Sequence, residues 1–143
     1  AGLEYMFRHV AKTTKFVNEN LLMGVARVES NYHPNIGTNA AGLMQILYKY
    51  AYANGYTKEG ILEPHANIHY GATILSNCYA TYRDQTLALL SYNMGSVIVR
   101  KKIEAGEELI TSYAEAVYNS ENSLSAWIGG HKYSRQFIEY IGQ

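Results

Sequence analysis

The sequence predicts a mainly α-helical domain with a loop or short strands after its second helix. Two observations lead there. Apolar residues recur at helical spacing through the long segments, and only Pro34 and Pro64 interrupt 143 residues. No repeat, linker or low-complexity stretch divides the chain, so a single domain over 1–143 is expected, long enough to bury a real core.

In order along the chain, a first helix is expected over about Leu3 to Val17 and a second over Glu19 to Glu29, with Asn18 placed as its N-cap. From Ser30 to Ala41 the composition turns to Ser, Asn, His, Pro and Gly, which reads as an ordered loop with short strands. Helical pattern resumes near Gly42 and runs to about Ala53, where Asn54-Gly55 stops it. Ile68, Ala72, Leu75, Tyr79 and Tyr82 share one face of a long helix from about Ala66 to Arg83. The next helix, Gln85 to Asn93, has Asp84 as N-cap and Gly95 at its end. Further breaks are expected around Gly106 and from Asn119 to Ser123, and Gly129-Gly130 leads into a last helix ending near Ile141.

Composition narrows the function. Hydrophobic residues are 48% and charged residues 17%, and twelve basic side chains balance twelve acidic ones. That balance, with Arg100-Lys101-Lys102 as the one basic cluster, argues against nucleic-acid binding by phosphate neutralisation. Cys78 is alone, so no internal disulfide forms, and its apolar-periodic setting reads as an inert core thiol. No apolar run approaches the roughly 20 residues of a membrane span. Glu4, Arg8 and His9 do not fit a signal peptide, and the first residue is Ala1, as in a processed chain or a domain cut from a longer one. His65 and His69 are spaced for a shared metal but lack an obvious third ligand, so no metal is expected. His33, in the loop after Glu29, is placed to line a groove. The fourteen tyrosines are compatible with a sugar-stacking groove without demonstrating one.

Projected at 100° per residue, the second helix places Glu29 in the middle of its apolar stripe. Leu22 and Ala26 flank it on one side, Leu21 and Val25 on the other, with Asn20 and Arg27 opposite. Desolvation there raises a carboxyl pKa, and the C-terminal end of the helix dipole pushes the same way. A carboxyl that keeps its proton near neutrality is what glycosidic cleavage requires of its general acid. The helix alone equally permits a Glu that reaches solvent or pairs with a cation.

Glu29-Ser30 after a Leu-Leu helix, then Gly42-Leu43-Met44-Gln45-Ile46, then Leu62-Glu63-Pro64 with Asn67-Ile68 and Gly71, then Ser91-Tyr92-Asn93-Met94-Gly95 occur in order. In that order and spacing, over about 18–102, the chain resembles the catalytic domain of soluble lytic transglycosylases, relatives of goose-type lysozyme. The resemblance implies a lysozyme-like helical fold, peptidoglycan glycan strands as substrate, no cofactor, and a place in the cell envelope (periplasmic or extracellular) or in a virion, as part of a larger chain or assembly. Glu29 carries over as the catalytic acid/base. The substrate's own 2-acetamido group would replace a second protein carboxylate, in agreement with Asp84 being the chain's one Asp and far from Glu29 in sequence. Glu63, the nearest rival, falls in a structural stretch of the family.

The resemblance makes Ser30, Gly42, Met44, Gln45, Tyr92 and Asn93 substrate-binding. Read from the residues alone, Ser30 equally suits a helix-end bond to backbone, Gln45 a solvated helix position, Tyr92 packing, and Asn93 an inward-facing cap. Gly42 would allow backbone to approach sugar closely. The family also carries a tyrosine near the C-terminal end of the domain whose hydroxyl approaches the catalytic Glu. Tyr133-Ser134-Arg135-Gln136-Phe137 matches it best, with Tyr133 or Phe137 in the position by register, and Tyr113 or Tyr118 match less well. The chain departs from the family in Leu47-Tyr48, where a Pro is usual, and in Ser96. Two other functions fit the same scaffold: a lysozyme-type hydrolase in which water attacks, and a non-catalytic module of a virion or secretion machine.

Overall fold

The computed structural model describes residues 2–120. The expected final helix therefore lies outside the described residues, as do Tyr133 and Phe137. Helix α1 (Gly2–Thr13) buries Phe7 and Val10. It stops short of Val17 because Phe16 takes a left-handed backbone, φ 68°, with its ring against Tyr79. Helix α2 (Glu19–Ser30) starts as expected, with the Asn18 carboxamide oxygen accepting the Leu21 N–H at 2.8 Å. It ends at left-handed Asn31, φ 49°, whose N–H donates to the Arg27 carbonyl.

Of the short strands, the first ends the expected loop at Ala41 and the second lies beyond it. Strands β1 (Ala40–Ala41) and β2 (Ile46–Leu47) pair antiparallel, Ala40 opposite Leu47 and Ala41 opposite Ile46. The helix expected from Gly42 begins only at α3 (Tyr48–Ala53). The reason is backbone handedness, since Gly42 (φ 67°) and Gln45 (φ 51°) are both left-handed and turn the chain back as a hairpin. A short α4 (Lys58–Leu62), capped by the Thr57 hydroxyl, was not anticipated.

The central helix is α5 (Pro64–Tyr82), with Pro at its first position and the Glu63 carboxylate accepting the His65 and Ala66 N–H groups. Ile68, Ala72, Leu75 and Tyr82 are buried on the predicted face, and Tyr79 lies at its margin. Helices α1 and α6 (Gln85–Met94) pack on α5. Asp84, almost wholly buried, caps α6 through a 2.8 Å bond to the Leu87 N–H. Helix α7 (Ser96–Glu104) packs on α6, and α8 (Ser112–Asn119) closes against α2 and α6. One apolar cluster joins these elements, with Phe7, Leu22, Leu43, Met44, Ile68 and Leu89 fully buried.

Asn67 ties the hairpin to this core. Its carboxamide oxygen accepts the Met44 N–H at 2.8 Å, and its nitrogen donates to the carbonyls of Ala41 (2.8 Å) and Ile61 (2.9 Å). An Asn67→Ala variant strands one buried N–H and two buried carbonyls, so it should lose about 2–4 kcal/mol of unfolding free energy. Denaturant titration measures this, and a loss below about 1 kcal/mol would show that the loop does not depend on the amide.

Candidate active site

Leu21, Leu22, Val25 and Ala26 are buried on the face of α2 that the projection identified, and Glu29 lies half-buried in its last turn. Its Oε2 accepts a 2.6 Å hydrogen bond from the hydroxyl of Tyr113. Tyr113 is in the first turn of α8, whose buried Ala114, Val117 and Tyr118 hold that helix in place. Burial pushes the Glu29 carboxyl above its ordinary range, and the Tyr113 hydrogen bond pulls partly back. Burial and the Glu29 charge hold the Tyr113 hydroxyl well above the usual phenol value, so it stays a donor.

Glu29 opens onto a groove of about 650 Å³ between the hairpin, α5, α6 and the start of α7. Gln45, Tyr92 and Asn93 line the same groove, as do Tyr50, Ile74 and Cys78. Among the described residues Glu29 is the one carboxylate there. The two rivals are engaged elsewhere, Glu63 at the start of α5 and Asp84 at the start of α6.

The expected binding residues divide into two groups. Asn93 is exposed on the groove rather than inward-facing, and its side chain bonds to nothing among the described residues. It is not the cap of α6, since the Gly95 N–H closes that end on the Ser91 carbonyl. Gln45 is half-buried, with Nε2 donating to the Ile36 (2.9 Å) and Gly42 (2.8 Å) carbonyls. Tyr92 lines the groove while its hydroxyl donates to the Met44 carbonyl, so it packs and lines at once.

Ser30, Gly42 and Met44 do not reach the groove. The Ser30 hydroxyl is buried between the Ala26 carbonyl (3.0 Å) and the Leu43 carbonyl (2.8 Å), which ties α2 to the turn. A Cβ on Gly42 would sit 2.9 Å from the Asn67 side chain and 3.1 Å from the Pro34 carbonyl, so the close approach that requires glycine is internal. Met44 is fully buried against Gly71, where an added Cβ would come within 2.8 Å of it. His33 bonds from its ring Nδ1 to the Ser30 carbonyl and is not part of the groove lining.

Among the described residues Tyr113 is the tyrosine brought to Glu29; Tyr133 and Phe137, the better motif matches, lie outside the described residues. The signal available in sequence was a tyrosine one residue before the Ala114, Val117, Tyr118 stripe. Cys78, expected in the core, is half-buried on the groove, and burial raises its thiol pKa. His65 faces His9 of α1, ring nitrogens 3.1 Å apart, and no group of three metal-ligating side chains occurs among the described residues. Among those residues no helix is long and apolar enough to cross a membrane.

The description "Transglycosylase SLT domain" belongs to the family whose sequence profile matches residues 6–114. The chain belongs to this family. No curated protein sequence matches the chain. Solved structures share its fold. A 70-kDa soluble lytic transglycosylase in complex with bulgecin A is 24% identical at TM-score 0.61, over 96% of this chain and 23% of that one. The 70-kDa enzyme from Escherichia coli gives 24% and 0.60 over the same 96% and 23% shares. The lytic transglycosylase Slt from Pseudomonas aeruginosa, described as an inactive Glu-to-Gln mutant, gives 19% and 0.60, again over 96% and 23%. The domain thus has the mainly α, lysozyme-like fold of these proteins and spans under a quarter of their length.

Two outcomes follow from the Glu29 environment. Because the Tyr113 bond lowers the Glu29 pKa, Tyr113→Phe should raise it, moving the carboxyl titration followed by ¹³C NMR to higher pH. A shift to lower pH would mean the hydroxyl does not favour the charged form. Separately, a carboxyl whose folded pKa lies above its unfolded one loses stability as pH rises from the ordinary carboxylate range through the folded value. Glu29→Gln removes that penalty, so at neutral pH its Tm should equal or exceed that of the parent, and a clear drop would contradict it.

Proposed function

We propose that the SLT domain is a peptidoglycan lytic transglycosylase that cleaves the β-1,4 bond between N-acetylmuramic acid and N-acetylglucosamine, with Glu29 as general acid and base. The observation that carries this reading is a half-buried carboxyl of raised pKa, held by Tyr113, as the one carboxylate lining the groove among the described residues. Protonated Glu29 gives its proton to the glycosidic oxygen as the C1–O bond breaks. The 2-acetamido oxygen of the muramic sugar closes on its own C1, which disperses the charge as an oxazolinium. The C6 hydroxyl then attacks C1, returning the acetamido electrons to the amide, and Glu29 takes the hydroxyl proton. Intramolecular capture has the proximity advantage over water, and the acetamido group makes a second protein carboxylate unnecessary.

Tyr113 acts by positioning Glu29 and keeping the charged form accessible for the second step. Asn93 and Gln45 are the polar groove residues for the saccharide, and Tyr92 supports the groove wall. Residues 1–143 form one such domain acting on glycan strands in the cell envelope, within a larger chain or assembly. The Pseudomonas aeruginosa lytic transglycosylase described as inactive is a Glu-to-Gln mutant, which supports giving a glutamate this role here.

Digestion of purified cell walls tests the reading. Wild-type products should end in 1,6-anhydro-N-acetylmuramic acid, unlabelled in H₂¹⁸O, and Glu29→Gln should lower turnover by about 10²–10⁴-fold or more. Labelled reducing ends would make water the nucleophile and the protein a lysozyme. Absence of cleavage by the wild type would leave a non-catalytic module.

A further inference from the structure

Helices α1 and α5 meet at a pair of histidines that the groove does not use. His9 of α1 and His65, in the first turn of α5, bring Nδ1 and Nε2 to 3.1 Å, with ring centroids 5.2 Å apart. In the chain the two lie 56 residues apart. Neither lines the groove that holds Glu29, and neither is in an ion pair among the described residues. His69, which the sequence spacing pairs with His65, is exposed one turn further along α5, and His65 Nε2 meets α1 instead.

The pair is held by its surroundings. Phe7 and Val10 of α1 share one buried cluster with Ile68 and Ala72 of α5, so packing fixes the helices that carry both rings. Tyr5 lies nearly parallel to the His9 ring, centroids 6.1 Å apart and planes 14° apart, which sets the plane of that ring. The Glu63 carboxylate accepts the backbone N–H of His65 at 3.1 Å and brings a negative charge to that end of α5. Of the cations on α1, Arg8 is paired with Glu19 at 3.2 Å and Lys12 is exposed.

Facing ring nitrogens at this distance have two uses. As a hydrogen bond, one nitrogen carries a proton and the other accepts it. When that proton moves to the far nitrogen of its own ring, both facing lone pairs are bare and the pair is a chelate. Two nitrogens each about 2.0–2.1 Å from one ion stand roughly 2.9–3.4 Å apart between square-planar and tetrahedral geometry, which includes the observed separation. His9 is exposed and His65 half-buried, so water reaches the remaining positions around such an ion. No third protein ligand joins them among the described residues, which distinguishes this arrangement from a closed structural zinc site. Two imidazoles suit copper, nickel or zinc, whereas magnesium and calcium take oxygen ligands.

We propose that His9 and His65 form a two-imidazole site for a divalent cation of the copper, nickel and zinc class, which clips α1 to α5. The site is independent of the transglycosylase reading. An ion held by the folded pair stabilises the fold by linkage, because the unfolded chain does not keep the two imidazoles together.

The test uses the untagged chain with zinc chloride, read by ¹H–¹⁵N NMR of the imidazoles and by thermal melting. Zn²⁺ should move the His9 Nδ1 and His65 Nε2 resonances and raise Tm, and Mg²⁺ should do neither. His9→Gln and His65→Gln should each weaken Zn²⁺ binding by about tenfold or more, the loss of the chelate advantage, while His69→Gln leaves it unchanged. The imidazole resonances of the parent chain decide the question even where a variant folds poorly. No movement of either nitrogen at millimolar Zn²⁺, or equal movement at all five histidines, overturns the proposal. A loss in His69→Gln as large as that in His9→Gln overturns it too. Cleavage is not part of the readout, so the outcome stands apart from the fate of the transglycosylase reading.

Discussion

The side-chain amide of Asn67, fully buried on α5, spends its oxygen on the Met44 N–H and its nitrogen on the Ala41 and Ile61 carbonyls. The turn it grips, residues 41–44, is where three helices meet. The Ser30 hydroxyl reaches the Leu43 carbonyl from α2, and the Tyr92 hydroxyl reaches the Met44 carbonyl from α6. A tight turn carried into a core brings backbone groups that water cannot reach, and each must find a partner there. Because those partners come from the helices that carry Glu29 and Asn93, satisfying the turn also sets the distance across the groove.

Two opposing effects act on Glu29. Desolvation favours the protonated acid and is the larger, while the Tyr113 hydroxyl favours the carboxylate. The acid and base role proposed for Glu29 needs both forms within reach. Burial alone would hold the proton too firmly, and full solvation would release it before the glycosidic oxygen could receive it. The hydroxyl offsets part of the burial without adding a charge, and it remains a donor because its own ionisation is pushed far up.

The same sequence keeps its other candidate carboxylates at work in the scaffold. Glu63 and Asp84 satisfy N–H groups at the starts of α5 and α6, the two helices packed against each other behind the groove. A second acid near Glu29 would raise its pKa further by like-charge repulsion and would offer water a base. Their placement as caps suits the proposed mechanism, in which the substrate supplies the second group.

The caps at Asn18 and Asp84, the buried face of α5 and the apolar stripe around Glu29 were legible in the sequence, because a helix fixes neighbours by a constant 100° step. The motif order likewise identified the family. What sequence could not supply were choices made across the chain. The left-handed turns at Gly42 and Gln45 replaced an apparently helical stretch with a hairpin, since Asn67, more than twenty residues on, holds that turn. Packing likewise turned Ser30, Gly42 and Met44 into supports for the groove and left Asn93 on its surface. Tyr113 reached Glu29 across 84 residues because α8 packs on α2. Periodicity thus determined which side chains share a helix face and where each helix begins. Only the packing of one helix on another decided which partner meets the Glu29 carboxyl, because that depends on burial shared between segments distant in the chain.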